Sequence, residues 1–292
     1  MPTYLERYVA GAHEQVWAEL LALGEGVRKE PVYTDALAVA CETMQRARLN
    51  IATLLPRLEA LGYELGYRWL TEEPYRREFT SEEVAELERE CPRYRPPQPD
   101  VRDRIAELEA RVGALPLSLR AWYEEVGVVN FVGKAPQSWD DLGYQAFQGA
   151  AYKAFEREHP HYTAEEYRQF KKAHPEFQQG IAAECIYLDP LVIWPIEAPL
   201  QLTEPSVDLP STTGVPLAPD YNHKYFVSGG GDYEIGAPCL AIDAPLDGEW
   251  HHTTFVDYLR ICFRWGGFPG LQRAPRPPAA DLADLTQDLL PL

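Results

Sequence analysis

The chain has few cysteines, and they are spaced in a way that excludes two classes of protein. It contains 5 cysteines among 292 residues, separated by wide gaps and with no CxxC pair. An odd number of widely spaced cysteines is the pattern of neither a zinc site nor a disulfide framework. We therefore expect reduced thiols in a cytoplasmic protein, with no metal and no cofactor.

Basic residues are also scarce. There are 27 Lys and Arg against 45 Asp and Glu, which gives a net charge of −18. Proteins that bind nucleic acid use Lys and Arg to displace counterions from phosphates, and no basic cluster occurs here. Nucleic acid is therefore not an expected partner. Such acidity favours a basic protein partner through electrostatic steering, although it also simply keeps a protein soluble.

Long apolar runs are missing as well. No stretch approaches the roughly 18 consecutive apolar residues of a membrane span. The opening MPTYLERYVAGAHEQVW lacks the basic start and apolar run of a signal peptide. We expect a soluble chain with no membrane partner. With 46% hydrophobic and 12% aromatic residues, the chain can still bury a core, which argues against disorder.

Apolar residues in the first third recur at alternating spacings of three and four, which predicts a long helix ending at Gly62. They are Leu37, Ala40, Met44, Ala47, Ile51, Leu54, Leu58 and Leu61. We call this set the apolar stripe. It follows the capping pair Thr34-Asp35, and an antiparallel partner helix is expected around Val16 to Leu21. The stripe packs either within its own chain or as the seam of a dimerising coiled coil, and both arrangements remain open.

Four prolines crowd the segment CPRYRPPQPD, which predicts a semi-rigid linker; a strap across the surface of one domain is the alternative. The predicted organisation is a helical region at 1–90, a linker at 91–99, an α+β domain at 100–270 with an inserted segment at 135–184, and a proline-rich tail at 271–292.

The domain opens with a helix, a turn, a second helix and a strand. DVRDRIAELEARVG predicts a helix ending at Gly113. A turn at Leu115-Pro116 leads to a helix with Ser118 as its cap, which ends at Gly127. VVNFVG is then expected as a strand.

These features resemble the opening of the SUKH superfamily. The resemblance lies in Leu108-Glu109, Leu115-Pro116, Trp122-Tyr123 and Val126-Gly127 within IAELEARVGALPLSLRAWYEEVGVVNFVG. YLDPLVIWPIE is similar to a later strand, and FVDYLRICFRWGGFPG to the closing helix of a bacterial subgroup. Together they cover roughly half of the chain. The long insert and the N-terminal helices depart from the pattern.

The SUKH resemblance implies an α+β fold with a largely antiparallel sheet flanked by helices. It implies no catalytic apparatus. It further implies an immunity protein that binds and neutralises a toxin, or an adaptor. The expected partner is a basic toxin or effector domain. The alternative is a structural subunit that self-assembles as a homodimer through the Leu37–Leu61 helix.

The run NHKYFVSGGGDYEI could be a phosphate-binding loop or a turn. A phosphate-binding loop places its glycines between a strand and a helix N-terminus. Here DYEIGAP alternates instead, so we predict a hairpin turn between KYFV and YEI. An enzyme using the His223–Gly231 region ranks last, because no nucleophile or metal ligand has a recognised spacing to it.

Two further stretches carry residue types that are common in interfaces. His251 and His252 follow Trp250 and have no third metal ligand at a usual offset, so we expect a loop capped by Thr253 or Thr254. RWGGFPG carries interface-type side chains, which could instead cover the core. The predicted partner-binding residues are His223, Lys224, Trp250, His251, His252, Arg264, Trp265 and Phe268. No catalytic, cofactor or metal residue is predicted.

Overall fold

The computed structural model describes residues 2–72, 79–139, 142, 169, 188–203, 214–221, 223–225 and 231–292. Its helices are α1 (Tyr4–Val9), α2 (His13–Ala22), α3 (Val32–Ala60), α4 (Ser81–Glu90), α5 (Val101–Val112), α6 (Leu117–Glu125), α7 (Glu197–Leu202), α8 (Phe255–Arg264) and α9 (Ala279–Thr286). Most of the predicted insert at 135–184 lies outside the described residues.

Within these ranges the strands form three small sheets. They are β1 (Glu64–Leu65), β2 (Tyr94–Arg95), β3 (Val128–Asn130), β4 (Gly133–Lys134), β5 (Val192–Ile193), β6 (Gly214–Pro219), β7 (Asp232–Gly236) and β8 (Leu246–Asp247). The strand orders are β1-β4, β2-β3-β5 and β6-β7-β8, and every pairing is antiparallel. The α+β class with antiparallel sheets is confirmed. No described helix is long and apolar enough to cross a membrane.

Helix α3 is the central element of the helical region. The six inner residues of its apolar stripe, from Ala40 to Leu58, have no exposed surface. They pack within the chain, where α3 contacts α1, α6 and α9. The helix ends before Gly62, whose φ is +85°. The stripe is therefore part of the internal core.

The start of α3 differs from the prediction. The helix begins at Val32, and the Asp35 carboxylate accepts hydrogen bonds from the backbone N–H groups of Tyr4 (2.6 Å) and Leu5 (3.0 Å). Those N–H groups belong to the first turn of α1 and have no partner within that helix. Asp35 therefore caps a neighbouring helix rather than its own.

The proline-rich segment 91–99 contributes to a sheet. Within it, β2 pairs with β3 in the register Tyr94↔Val129, and Asn130 Nδ2 donates to the Cys91 carbonyl at 3.0 Å. Gly127, with φ +86°, lets the segment come close, because a Cβ there would collide with the Arg95 carbonyl. The segment crosses the surface as a strap, which was the alternative to a free linker.

Helices α5 and α6 lie where the sequence places them. Gly113, with φ +87°, ends α5, and α6 follows Pro116. Ser118 is not the cap of α6. It lies inside the first turn and donates its hydroxyl to Asp243 Oδ1 at 2.6 Å. A contact with a residue 125 positions away in the chain thus determines the role of this serine.

A hairpin surrounds the glycine run, but its first strand was misplaced. Strand β7 pairs with β6, whereas His223–Tyr225 of KYFV forms a 3₁₀ turn. Strand β6 contains Pro216 and Pro219, residue types that by themselves indicate a loop. Its prolines are tolerated because β6 is the edge strand of its sheet. Gly229 and Gly230 lie outside the described residues.

The C-terminal segment is packed against the helical region. Thr254 caps α8, as expected, and α9 contacts α3. Arg57 Nη1 donates to the carbonyls of Leu285 (2.9 Å) and Gln287 (2.6 Å). Asn50, buried in α3, exchanges two hydrogen bonds with Leu290. The predicted tail therefore belongs to the folded body.

Candidate functional site

A pair of opposite charges is buried between the β2-β3-β5 and β6-β7-β8 sheets. Lys224 Nζ lies 2.5 Å from Asp189 Oδ1, and neither side chain has exposed surface. Lys224 comes from the 3₁₀ turn after β6, and Asp189 from the loop before β5, where its φ is +43°. Such a backbone conformation is uncommon for a residue other than glycine.

Two further groups donate to the Asp189 carboxylate. The Tyr233 hydroxyl lies 3.1 Å from both carboxylate oxygens, and Trp250 Nε1 lies 3.4 Å from Oδ2. Lys224 Nζ also sits 4.6 Å from the centroid of the Tyr233 ring. With Glu249, these residues form what we call the buried cluster: Asp189, Lys224, Tyr233, Glu249 and Trp250.

Glu249 brings a second buried carboxylate to the cluster. It is 1% exposed, and its Oε1 accepts from the backbone N–H of His251 at 2.8 Å and contacts His251 Nδ1. Its Oε2 has no hydrogen-bond partner among the residues described. Burial first, then the charges of Asp189 and Glu249, raise the pKa of Tyr233. The Tyr233 phenol therefore stays protonated and acts as a donor.

Trp250 of the buried cluster also packs against two side chains outside it. The rings of Trp250 and His251 are stacked at 3.6 Å, and the Arg273 guanidinium lies 3.6 Å from the Trp250 ring centroid. His251 Nε2 is 3.0 Å from Gln272 Oε1. His252, with φ +54°, is exposed beside the stack. The two histidine side chains therefore differ in exposure: His251 is held by Glu249 and Gln272, whereas His252 is exposed, as expected of loop residues.

Three carboxylates share the outer face of strands β7 and β8. Asp232 and Glu234 alternate with the buried Tyr233 and Ile235, and Glu234 is paired directly with Asp247. We call Asp232, Glu234 and Asp247 the acidic face. No cation of the described residues forms an ion pair with any of them.

The electrostatics of the acidic face reflect this crowding. Partial burial, then the charges of Asp232 and Asp247, raise the pKa of Glu234. Burial also raises the pKa of Asp232. The charge of His223 acts in the opposite direction, and the charge of Asp220 raises this pKa further. A groove of about 920 Å³ opens beside this face, with Trp194, His223 and Asp232 among its lining residues. The face therefore presents uncompensated negative charge next to a concave surface.

The predicted partner-binding residues are divided among three places. His223, Lys224, Trp250, His251 and His252 come together at the buried cluster and its margins. Arg264 is exposed and lines a separate cavity between α2 and α8. Trp265, half-buried, packs at the end of α8.

Two of the predicted residues cannot touch a partner in this conformation. Phe268 has no exposed surface and packs with the rings of Tyr63 (5.0 Å) and Trp139 (5.3 Å). Lys224 is 2% exposed. The alternative that Phe268 covers the core is what the structure shows.

Sequence reasoning missed Asp189, Tyr233 and Glu249. None of them belongs to a spaced motif, and Tyr233 reads simply as the apolar position of a strand. The groups that hold them together come from segments far apart in the chain. Over the described ranges, no set of three metal-ligating side chains occurs, and the four cysteines present there are free.

Comparison of the chain with protein-family models, with curated proteins and with solved structures found no match in any of the three. The SUKH resemblance therefore rests on the quoted sequence motifs alone.

Proposed function

We propose that the chain is a non-catalytic protein-binding module of the immunity or adaptor type. It acts in the cytoplasm by binding and neutralising a basic toxin or effector domain, in keeping with the SUKH resemblance. The observation that carries this proposal is the acidic face, where Glu234 lies opposite Asp247.

Like charges directly opposite each other on neighbouring strands destabilise a sheet by roughly 0.2–1 kcal/mol. Proteins keep such local conflicts mainly at functional sites. A basic partner would remove the conflict by supplying the cations that the described residues do not place there. Electrostatic complementarity of this kind also speeds association and excludes acidic competitors. The net charge of −18 extends the attraction beyond the face itself.

The two alternative functions are less well supported. Self-assembly through the Leu37–Leu61 helix would need an apolar stripe that faces outward, whereas its inner residues are buried in their own chain. For an enzyme based on the His223–Gly231 region, no nucleophile or metal ligand has a recognised spacing to His223, whose Nδ1 lies 2.9 Å from the Gly231 carbonyl oxygen.

The test is to purify the tagged chain from its host, identify any stoichiometric polypeptide, and measure its affinity with both proteins purified. We expect a basic polypeptide whose toxicity is relieved by co-expression of this chain. Binding should weaken as salt rises, because exposed charges are screened. A chain that rescues growth from none of the toxins encoded near it would contradict the proposal.

The acidic face is tested by Glu234→Lys combined with Asp247→Lys. Like-charge contacts with a basic partner cost several kcal/mol, so we expect affinity to fall by at least about 100-fold. The matched control is Glu82→Lys with Asp103→Lys, which makes the same charge change on exposed positions of α4 and α5. Equal losses in the two variants would show that only net charge matters and would overturn the assignment of this face.

A further inference from the structure

We propose that Lys224 and Asp189 condense to an intramolecular isopeptide bond in the folded protein. The amine nitrogen lies 2.5 Å from a carboxyl oxygen, and both side chains are fully buried. The two residues are 35 positions apart, so only the fold brings them together. This inference is independent of the proposed binding function.

The condensation requires the neutral forms of both groups. A charged pair removed from water loses much of its solvation, which its mutual attraction repays only in part. Transfer of one proton from the lysine to the aspartate leaves a neutral amine and a carboxylic acid. The amine is then a nucleophile and the acid an electrophile. Holding them in contact raises their effective concentration far above that of separate molecules in solution.

The cluster also stabilises the charge that develops during attack. When the amine adds to Cγ of Asp189, negative charge grows on a carboxyl oxygen. The Tyr233 hydroxyl, 3.1 Å from both oxygens, and Trp250 Nε1, 3.4 Å from Oδ2, already donate to that carboxyl. Fixed donors at such an oxygen act as an oxyanion hole. The raised pKa of Tyr233 keeps its proton available for this donation.

The atoms of the step balance without an oxidant, a reductant or a cofactor. A bond forms between Lys224 Nζ and Asp189 Cγ, and one Cγ–O bond breaks. The carboxyl oxygen leaves as hydroxide with one proton from the amine, so the second product is water.

The bond would join the two larger sheets covalently. Asp189 precedes β5, and Lys224 follows β6, whose Leu217 carbonyl already accepts a hydrogen bond from the Trp194 backbone N–H at 2.8 Å. A cross-link at this point would resist heat and denaturant in the same way as other covalent links that restrict the unfolded chain.

The test is the intact mass of the purified full-length chain under denaturing conditions. We expect a mass lower than that of the sequence by one water molecule. Tandem mass spectrometry of a proteolytic digest should then show a branched peptide that joins the segments containing Lys224 and Asp189. A wild-type chain with the full sequence mass, or a digest in which Lys224 is free, would overturn the proposal.

Variants distinguish formation of this bond from loss of water at another site in the chain. Lys224→Arg should restore the full mass, because a guanidinium does not form the amide. Asp189→Asn should lose one ammonia molecule instead of water, because the leaving group is then the amide nitrogen. Lys134→Arg is the matched control: its Nζ lies 2.7 Å from Glu72, but the pair is half-exposed, and the water loss should persist. A loss of water that survives Lys224→Arg would assign the modification to another site.

Discussion

The core beneath α3 and the buried cluster are equally hidden from solvent but opposite in chemistry. Along α3, the inner residues of the apolar stripe have no exposed surface and need only an apolar neighbour. In the cluster, Lys224 and Asp189 are just as buried, and each needs a specific partner at hydrogen-bond distance. Burial of the apolar stripe is thus favourable in itself. Burial of Lys224 and Asp189 is favourable only when each has its partner at hydrogen-bond distance.

Strand β7 shows the same contrast within five residues. Its inward Tyr233 donates to the buried Asp189, whereas its outward Asp232 and Glu234 face other carboxylates. The inward side chain thus has a hydrogen-bond partner, whereas the outward side chains face charges of their own sign. The inner face thus serves stability, and the outer face carries the like charges on which the proposed function rests.

The sharpest test of this contrast removes one charge from the cluster. Lys224→Met leaves the Asp189 carboxylate buried without its cation, so we expect the free energy of unfolding to fall by about 3–5 kcal/mol. The covalent bond proposed above would add to this loss. Urea denaturation followed by circular dichroism measures it.

The matched control for that variant is Lys134→Met. The side chains of Lys134 and Glu72 are 48% and 54% exposed, and such surface pairs contribute less than about 1 kcal/mol. Similar losses in the two variants would show that burial of the Lys224–Asp189 pair is energetically unimportant.

The apolar side of the comparison is tested by Leu54→Ala. Removing this fully buried side chain from α3 leaves a cavity, and we expect a loss of about 2–5 kcal/mol in the free energy of unfolding. Leu49→Ala, on the same helix but 50% exposed, should change it by less than about 0.5 kcal/mol. Light scattering should show the same particle mass for both variants. A change in that mass for Leu54→Ala would instead favour a stripe between chains.

Asp243 tests whether a buried carboxylate without a cation behaves differently from the Lys224–Asp189 pair. Burial raises the pKa of Asp243 to about 6, although hydrogen bonds from Ser118 and Val256 act in the opposite direction. The folded chain then keeps this proton between about pH 4 and pH 6, where the unfolded chain has lost it. Stability therefore falls as pH rises through this window, by on the order of 3 kcal/mol in total.

The measurement compares the wild type with Asp243→Asn, which has no proton to lose there. The difference in their unfolding free energies, recorded from pH 4 to pH 7, should shift against the wild type as pH rises. Other carboxylates contribute equally to both proteins and cancel. A difference that stays constant over this range would show that Asp243 is ionised throughout.

Much of the fold follows from local patterns. The apolar stripe predicts α3, and Gly62, Gly113 and Gly127 mark helix ends because each takes a positive φ. Caps were harder to place. Thr80, just before the first residue of α4, caps that helix, and Asp35 caps α1. A capping side chain satisfies whichever N–H groups the fold brings near it, so its partner cannot be read from sequence spacing.

The candidate site was only partly predictable. Lys224 and Trp250 were singled out for their residue types, but Asp189 and Glu249 were not, since no spacing links them. Strand β6 was also missed, because its prolines suggested a loop and only its edge position in the sheet makes them acceptable.

The sequence by itself determined the class of fold, the position of the main helices and the excess of negative charge, because these depend on short-range periodicity and composition. The tertiary structure alone decided what covers the apolar stripe of α3, which carboxylates are paired and which remain facing one another. The physical reason is that a buried charge is stabilised by partners a few ångströms away, and those partners come from segments that are distant in the chain.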